Sequence, residues 1–273
     1  MKILLPTDFS QLSKIAIRYA IGLSKDFELD IILLHVANTI TPTMARLGSR
    51  KLGEAIKNSA GLSMKELFEA IKKENGPELK ISSKIIYNAS VTKGVEDFST
   101  KNDIDIVCMG TKGATGLKKN VFGSNAAGVI ANSSIPVLTI PEFARYMGVN
   151  HMVYSCDRSN LENELNVLIP YAKRMNACVH ILHMNKESDT SNEDLERQVK
   201  QLSLSVPFEN TRVKVLQSNS VIKGLNQYVA DVDADMVAMF TRKTSLFEKL
   251  FDKSVTQETA FQAKTPLLTF QKK

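Results

Sequence analysis

The chain repeats itself, and this constrains its fold more than any other feature. Asp233-Ala-Asp-Met-Val-Ala-Met239 stands 130 residues after Asp103-Ile-Asp-Ile-Val-Cys-Met109, and Pro266-Leu-Leu-Thr-Phe270 follows Pro136-Val-Leu-Thr-Ile140 by the same interval. Tyr154-Ser-Cys-Asp157 echoes Pro6-Thr-Asp8, and Ile181-Leu-His-Met184 echoes Leu33-Leu-His-Val36. A period this long is a tandem duplication of a whole domain. The sequence predicts one domain over residues 1–141 and a second over residues 150–273, joined by a linker around Pro141 to Val149. A length of 273 residues suits two domains of ordinary size.

Each copy alternates strand and helix. Lys2 to Leu5 is a short apolar run; Leu12, Ile15, Ala16, Tyr19, Ala20 and Leu23 then fall at helical spacing behind Ser10, a residue suited to cap the helix. Asp30 to Val36 is a second apolar run. After an irregular stretch from Asn38 to Gly53, Ala60, Met64, Leu67, Phe68 and Ile71 mark another helix, which stops at Asn75-Gly76-Pro77. Leu79 to Tyr87 alternates apolar and polar residues, Val91 to Ser99 is helical, and Ile104 to Met109 and Pro136 to Ile140 complete five strands. The order βαβαβαβαβ demands right-handed crossovers and a parallel sheet covered by helices on both faces. The predicted fold class is therefore α/β, with two tandem open five-stranded parallel sheets of Rossmann-like type. In such sheets ligands bind beyond the carboxyl ends of the strands, where strand order switches. Asp8, Val36 and Gly110 lie at three such ends.

The third of those ends empties into glycine. Gly110, Gly113 and Gly116 punctuate a loop that closes at Gly123-Ser124-Asn125, the start of a small-residue helix with Ala126, Val129 and Ile130 on one face. Backbone amides approach an anion closely only where side chains are absent or positive φ is tolerated. A helix N-terminus adds unpaired N–H groups and partial positive charge. The pattern describes a phosphate cradle, although neither Gly-x4-Gly-Lys-[Ser/Thr] nor Gly-x-Gly-x-x-Gly can be laid over it. A glycine-rich surface loop that binds nothing is the competing reading of the same residues. In the second copy Phe240 stands opposite Gly110, Lys243 opposite Gly113 and Lys253 opposite Gly123; Ser254 alone keeps its counterpart. No nucleotide is expected to bind there in the same manner.

The spacing Gly110, Gly113, Gly123-Ser124, together with the opening Leu5-Pro-Thr-Asp-Phe-Ser10, resembles the universal stress protein family. The resemblance covers both halves and is stronger in the first. It implies a five-stranded α/β sheet, pairing through the last strand, and a division between ATP binders and non-binders that turns on the glycine loop. By similarity to the binders, Pro6, Thr7 and Asp8 would meet the nucleoside and the Val36 backbone would meet the adenine edge. Gly110 and Thr111 would lie by the ribose. Gly113, Gly123, Ser124 and Asn125 would hold phosphates. The resemblance thus implies ATP as ligand, and Mg²⁺ or Mn²⁺ would arrive with the phosphates because the loop offers no carboxylate. Asp8 also reads as a carboxylate at a helix start. Lys112, Lys118 and Lys119 read equally as phosphate partners and as solubilising charge. His35 and His183 occupy equivalent strand ends and are expected to be structural, since no carboxylate or nucleophile is placed beside them.

Composition removes several alternatives. The net charge of +6, from 35 Lys and Arg against 29 Asp and Glu, is scattered rather than clustered, so a nucleic-acid surface is not expected. No apolar run reaches the roughly 20 residues that span a bilayer, which sets a cytoplasmic expectation. Cys108, Cys156 and Cys178 fit no zinc or redox spacing and read as reduced core residues. The expected function is a nucleotide-responsive regulatory protein of the stress response, binding an adenine nucleotide and an unknown protein partner. No general base or arginine finger is recognisable, so hydrolysis is expected to be at most slow and no catalytic residue is assigned. The alternatives are a nucleotide-independent interaction scaffold and a weak ATPase. Monomer and homodimer are both compatible with the sequence.

Overall fold

A computed structural model of the chain describes residues 1–38, 50–111, 123–185, 191–241 and 264–272. Two compact units divide it, Met1–Glu142 and Phe143–Lys273.

The first unit runs β1 (Lys2–Pro6), α1 (Gln11–Asp26), β2 (Asp30–Asn38), α2 (Arg50–Asn75), β3 (Ile81–Asn88), α3 (Val91–Lys101), β4 (Ile106–Gly110), α4 (Ser124–Asn132) and β5 (Val137–Ile140). Its strands lie in the order β3-β2-β1-β4-β5 and every pair is parallel. The switch in order falls between β2 and β4, on either side of β1. The second unit repeats the plan with β6 (His151–Cys156), α5 (Leu161–Arg174), β7 (Cys178–Asn185), α6 (Asn192–Ser203), β8 (Thr211–Gln217), α7 (Val221–Asp231), β9 (Met236–Thr241) and β10 (Leu267–Gln271). Its order is β8-β7-β6-β9-β10, again parallel.

The strand sequences match their positions. Ile106–Gly110 and Met236–Thr241 are buried at every residue, as central strands covered on both faces must be. β3 alternates intermediate and exposed residues from Ile81 to Ile85, the pattern of an edge strand with one wetter face, and shifts phase at Ile86 so that Tyr87 is exposed. Helix starts are set by serine: Ser10 accepts from the Ser13 N–H at 3.2 Å, Ser90 from Lys93 at 3.3 Å and Ser220 from Lys223 at 3.4 Å. The duplication reaches backbone detail. Asp103 and Asp233 both take positive φ (51° and 48°) just before a central strand, and Phe9 and Arg158 both do so (63° and 66°) in the turn after the first strand. Non-glycine residues rarely adopt that region, so its recurrence at equivalent places marks an inherited turn.

Candidate functional site

The carboxyl ends of β1, β2 and β4 converge in the first unit. Pro6, Thr7, Asp8, Val36, Gly110 and Asn125 line one cavity of about 70 Å³, together with Ser13, Leu34, His35, Val91, Met109 and Ala126. Six of the ten residues expected from sequence are thereby brought together. Of the other four, Thr111 and Gly123 close the base of the glycine loop, the Gly123 N–H donating to the Thr111 carbonyl at 2.7 Å. Ser124 is exposed at the first position of α4. Gly113 lies outside the described residues, as do Gly116, Lys112, Lys118 and Lys119, and most of the irregular stretch after β2. A drug-sized ligand needs a pocket of about 300–1,000 Å³, more than the described residues enclose here.

Each lining group is set by its element. The Thr7 N–H donates to the Leu34 carbonyl at 2.8 Å, so Leu34 turns its backbone toward β1. Backbone direction alternates along a strand, and Val36, two residues on, presents its peptide groups to the same side. The ladder pairs Pro6 with Leu34 and goes no further, whereas β2 continues alongside β3 to Asn38. The Val36 peptide edge therefore faces the cavity.

His35 Nδ1 lies 2.8 Å from the Thr7 carbonyl, which can only accept, so this nitrogen carries the proton. His183 Nδ1 makes the same bond to the Cys156 carbonyl at 3.1 Å. Both histidines tie one strand end to its neighbour, a structural role. Asp8 is exposed, and its Oδ1 accepts from the Ser10 N–H at 3.1 Å. It thus has the helix-start role, in a place that also borders the cavity.

Gly110 has a reason to be glycine that the sequence did not show. A Cβ there would stand 2.8 Å from the Leu12 carbonyl oxygen and 3.0 Å from its carbon, so the first turn of α1 rests on the end of β4. Beyond the loop, α4 begins at Ser124 with Gly123 as its cap and no side-chain hydrogen bond to its first turn. Its leading N–H groups keep the capacity to bind an anion.

The second unit carries different side chains at the equivalent positions. Phe240, opposite Gly110, stacks on Phe270 with ring centroids 4.8 Å apart and meets the edge of Tyr154 at 5.9 Å. Asp157, the counterpart of Asp8, accepts from Lys272 Nζ at 2.7 Å as well as from Ser159. The same ammonium lies 2.9 Å from Glu164, whose other oxygen accepts from the Tyr154 hydroxyl. The positions equivalent to Tyr154 and Glu164 in the first unit are Leu5 and Ile15. Sequence reading missed this network; two polar residues replacing apolar ones within an otherwise similar repeat were the available signal. Lys243, Lys253 and Ser254 lie outside the described residues.

The cluster has a pH signature. Burial would raise the Asp157 carboxyl, but hydrogen bonds from Lys272 and Ser159 outweigh it and hold it below its ordinary value. Burial would lower the Lys272 ammonium, and the bonds to Asp157 and Glu164 instead hold it above its own. A depressed carboxyl adds stability that is lost as pH falls through its folded value; a raised amine adds stability that is lost as pH rises through its folded value. The stabilised window therefore runs from about pH 4 to about pH 10. Asp157 is half-exposed and solvent screens its share, so the alkaline edge should be the clearer one. In Lys272→Met, urea midpoints measured across pH are expected to lose that alkaline fall.

Comparison with known proteins places this arrangement. The model of the Universal stress protein family matches residues 1–141. The chain is 30% identical over 141 residues to Universal stress protein MJ0531 of Methanocaldococcus jannaschii, covering 51% of this chain and 81% of that protein. It is 31% identical over 155 residues to Universal stress protein MJ0577 of the same organism, covering 51% and 93%. Among solved structures, a universal stress protein from Archaeoglobus fulgidus superposes with a TM-score of 0.70 at 20% identity, covering 99% of this chain and 96% of that one. That last likeness is one of fold.

Proposed function

Because the chain belongs to the universal stress protein family, we propose that its first unit binds ATP and that the occupied state regulates a protein partner in the stress response. The observation that carries this reading is the convergence on one cleft of Asp8, the Val36 peptide edge, Gly110 and an α4 N-terminus with no side-chain cap. The residues fit the ligand. The Val36 edge offers a donor and an acceptor to a base, Asp8 offers an acceptor to a ribose hydroxyl, and the glycine-flanked amides of Gly123, Ser124 and Asn125 suit phosphate oxygens. A divalent cation would be held through the phosphates. The second unit, with Phe240 in place of Gly110 and Asp157 held by Lys272, binds none in this reading. No described helix is long and apolar enough to cross a membrane. The reading is of a cytoplasmic protein, and its switch is nucleotide occupancy.

The test is to denature the purified chain and identify what it releases by mass spectrometry. About one adenine nucleotide per chain is expected. Adding Mg-ATP to nucleotide-free protein should raise its melting temperature, since a ligand at about 100 times its Kd adds about 2.7 kcal/mol. A nucleotide-free preparation that shows no shift at millimolar Mg-ATP would refute the proposal.

A further inference from the structure

At the opposite edge of the second unit, where its strands begin, three side chains with metal-binding atoms meet. His151 opens β6 and Cys178 opens β7; the two are direct partners in the parallel register. His180, two residues after Cys178, points to the same face of the sheet. The ligand atoms of all three lie within 4.8 Å of one another. His151 Nδ1 is 3.0 Å from His180 Nε2, and His180 Nδ1 is 3.0 Å from the Tyr228 hydroxyl on α7. We propose that His151, Cys178 and His180 form a binding site for a borderline-soft divalent cation, zinc foremost, with Tyr228 holding the His180 ring and a solvent molecule completing the tetrahedron.

The two imidazole nitrogens already stand near their separation in a filled site. Two imidazole nitrogens bound to one tetrahedral zinc at about 2.0–2.1 Å stand roughly 3.3 Å apart, so the rings need separate by only a few tenths of an ångström. A thiolate with two imidazoles favours zinc over the hard cations, which prefer oxygen ligands. His180 and Cys178 are buried, whereas His151 is only partly so and leaves a way in.

The Tyr228 contact is the kind of outer hydrogen bond that fixes a ligating histidine's tautomer. With His180 Nδ1–H donating to the phenol oxygen, its Nε2 lone pair faces the site. Arg212, the register partner of His180, repels a cation but favours the thiolate. Binding one ion releases the Cys178 proton to solvent, while the proton shared between the histidines moves to the outer nitrogen of His151.

The arrangement belongs to this unit alone. The register equivalents in the first unit are Lys2, Asp30 and Ile32, and the position of Tyr228 is held there by Phe98, which has no hydroxyl. Ligands and tautomer-fixing phenol are present together in one repeat and absent together from the other. Cys178 was expected from sequence to be an inert core residue; strand register, not sequence spacing, supplies its neighbours.

The full chain, stripped with chelator and kept reduced, should be titrated with Co²⁺ and then with Zn²⁺. One Co²⁺ per chain is expected, with a thiolate-to-cobalt charge-transfer band and intense visible absorption of tetrahedral cobalt, both abolished by one equivalent of Zn²⁺. Cys178→Ser should lose the charge-transfer band, and His151→Asn should lose the tetrahedral spectrum while keeping the native circular dichroism. Tyr228→Phe, which leaves all three ligands in place, should weaken zinc binding about 10–100-fold. A chain without the charge-transfer band at stoichiometric Co²⁺, or zinc affinity unchanged in folded His151→Asn, would overturn the assignment. His151 is partly exposed, so that variant carries the test even if Cys178→Ser fails to fold.

Discussion

Glu164→Ala is expected to destabilise the second unit by about 3–5 kcal/mol, the usual cost of removing one partner from a buried ion pair. The Glu164 and Lys272 side chains are 4% and 5% exposed, so neither charge has water to fall back on. Truncation leaves the Lys272 ammonium only half-exposed Asp157 and the Ser159 hydroxyl, and it removes the acceptor of the Tyr154 hydroxyl, which is fully buried. Urea unfolding, followed by a probe in the second unit, measures the loss. The double variant Glu164→Leu, Lys272→Met should recover much of it, because replacing a buried pair by apolar residues of similar volume is often neutral or favourable. A Glu164→Ala midpoint within error of the parent would show that the pair contributes nothing.

Phe240→Gly has a comparable expected cost, about 3–5 kcal/mol, from deleting a buried aromatic ring. Phe240 stacks on Phe270 and abuts Tyr154, so the void opens against two aromatic side chains. Glycine within a strand adds roughly 0.5–1 kcal/mol of backbone entropy. The substitution restores the residue found at Gly110, yet no second nucleotide is expected to bind, because Lys272 still holds Asp157. Bound nucleotide per chain, counted by mass spectrometry, should remain one. A count of two would show that the ring alone separates the two halves.

These expectations divide the molecule into what sequence made legible and what it did not. The alternation of apolar runs with helical periodicity required a parallel sheet, since consecutive parallel strands need crossovers, and the strands of each unit follow that plan. Ser10 was visible as a helix start because capping is local, set by residues three apart. Six of the candidate ligand residues come together because the fold rule that gathers strand ends is general. Element ends were less legible. The apolar run from Ile104 enters its strand only at Ile106, because Asp103 takes a left-handed conformation that apolar content does not announce.

The functional reading drew on sequence for its candidates and on structure for their reasons. Gly110 was singled out as a residue that lets a ligand approach; packing adds that the backbone of Leu12 already occupies the space of its Cβ. Val36 was named for its peptide, and only the point at which β1 stops shows that this peptide faces the cleft.

The amino-acid sequence by itself determined the duplication, the α/β alternation, the glycine loop and its loss in the second copy, since each is written in local spacing or in a comparison of the chain with itself. Tertiary structure decided which side chains meet. Lys272 reaches Asp157 and Glu164 across more than a hundred residues, and His151 finds Cys178 through strand register. Such contacts depend on the packing of whole elements, and a linear pattern does not encode distance between residues that only folding brings together.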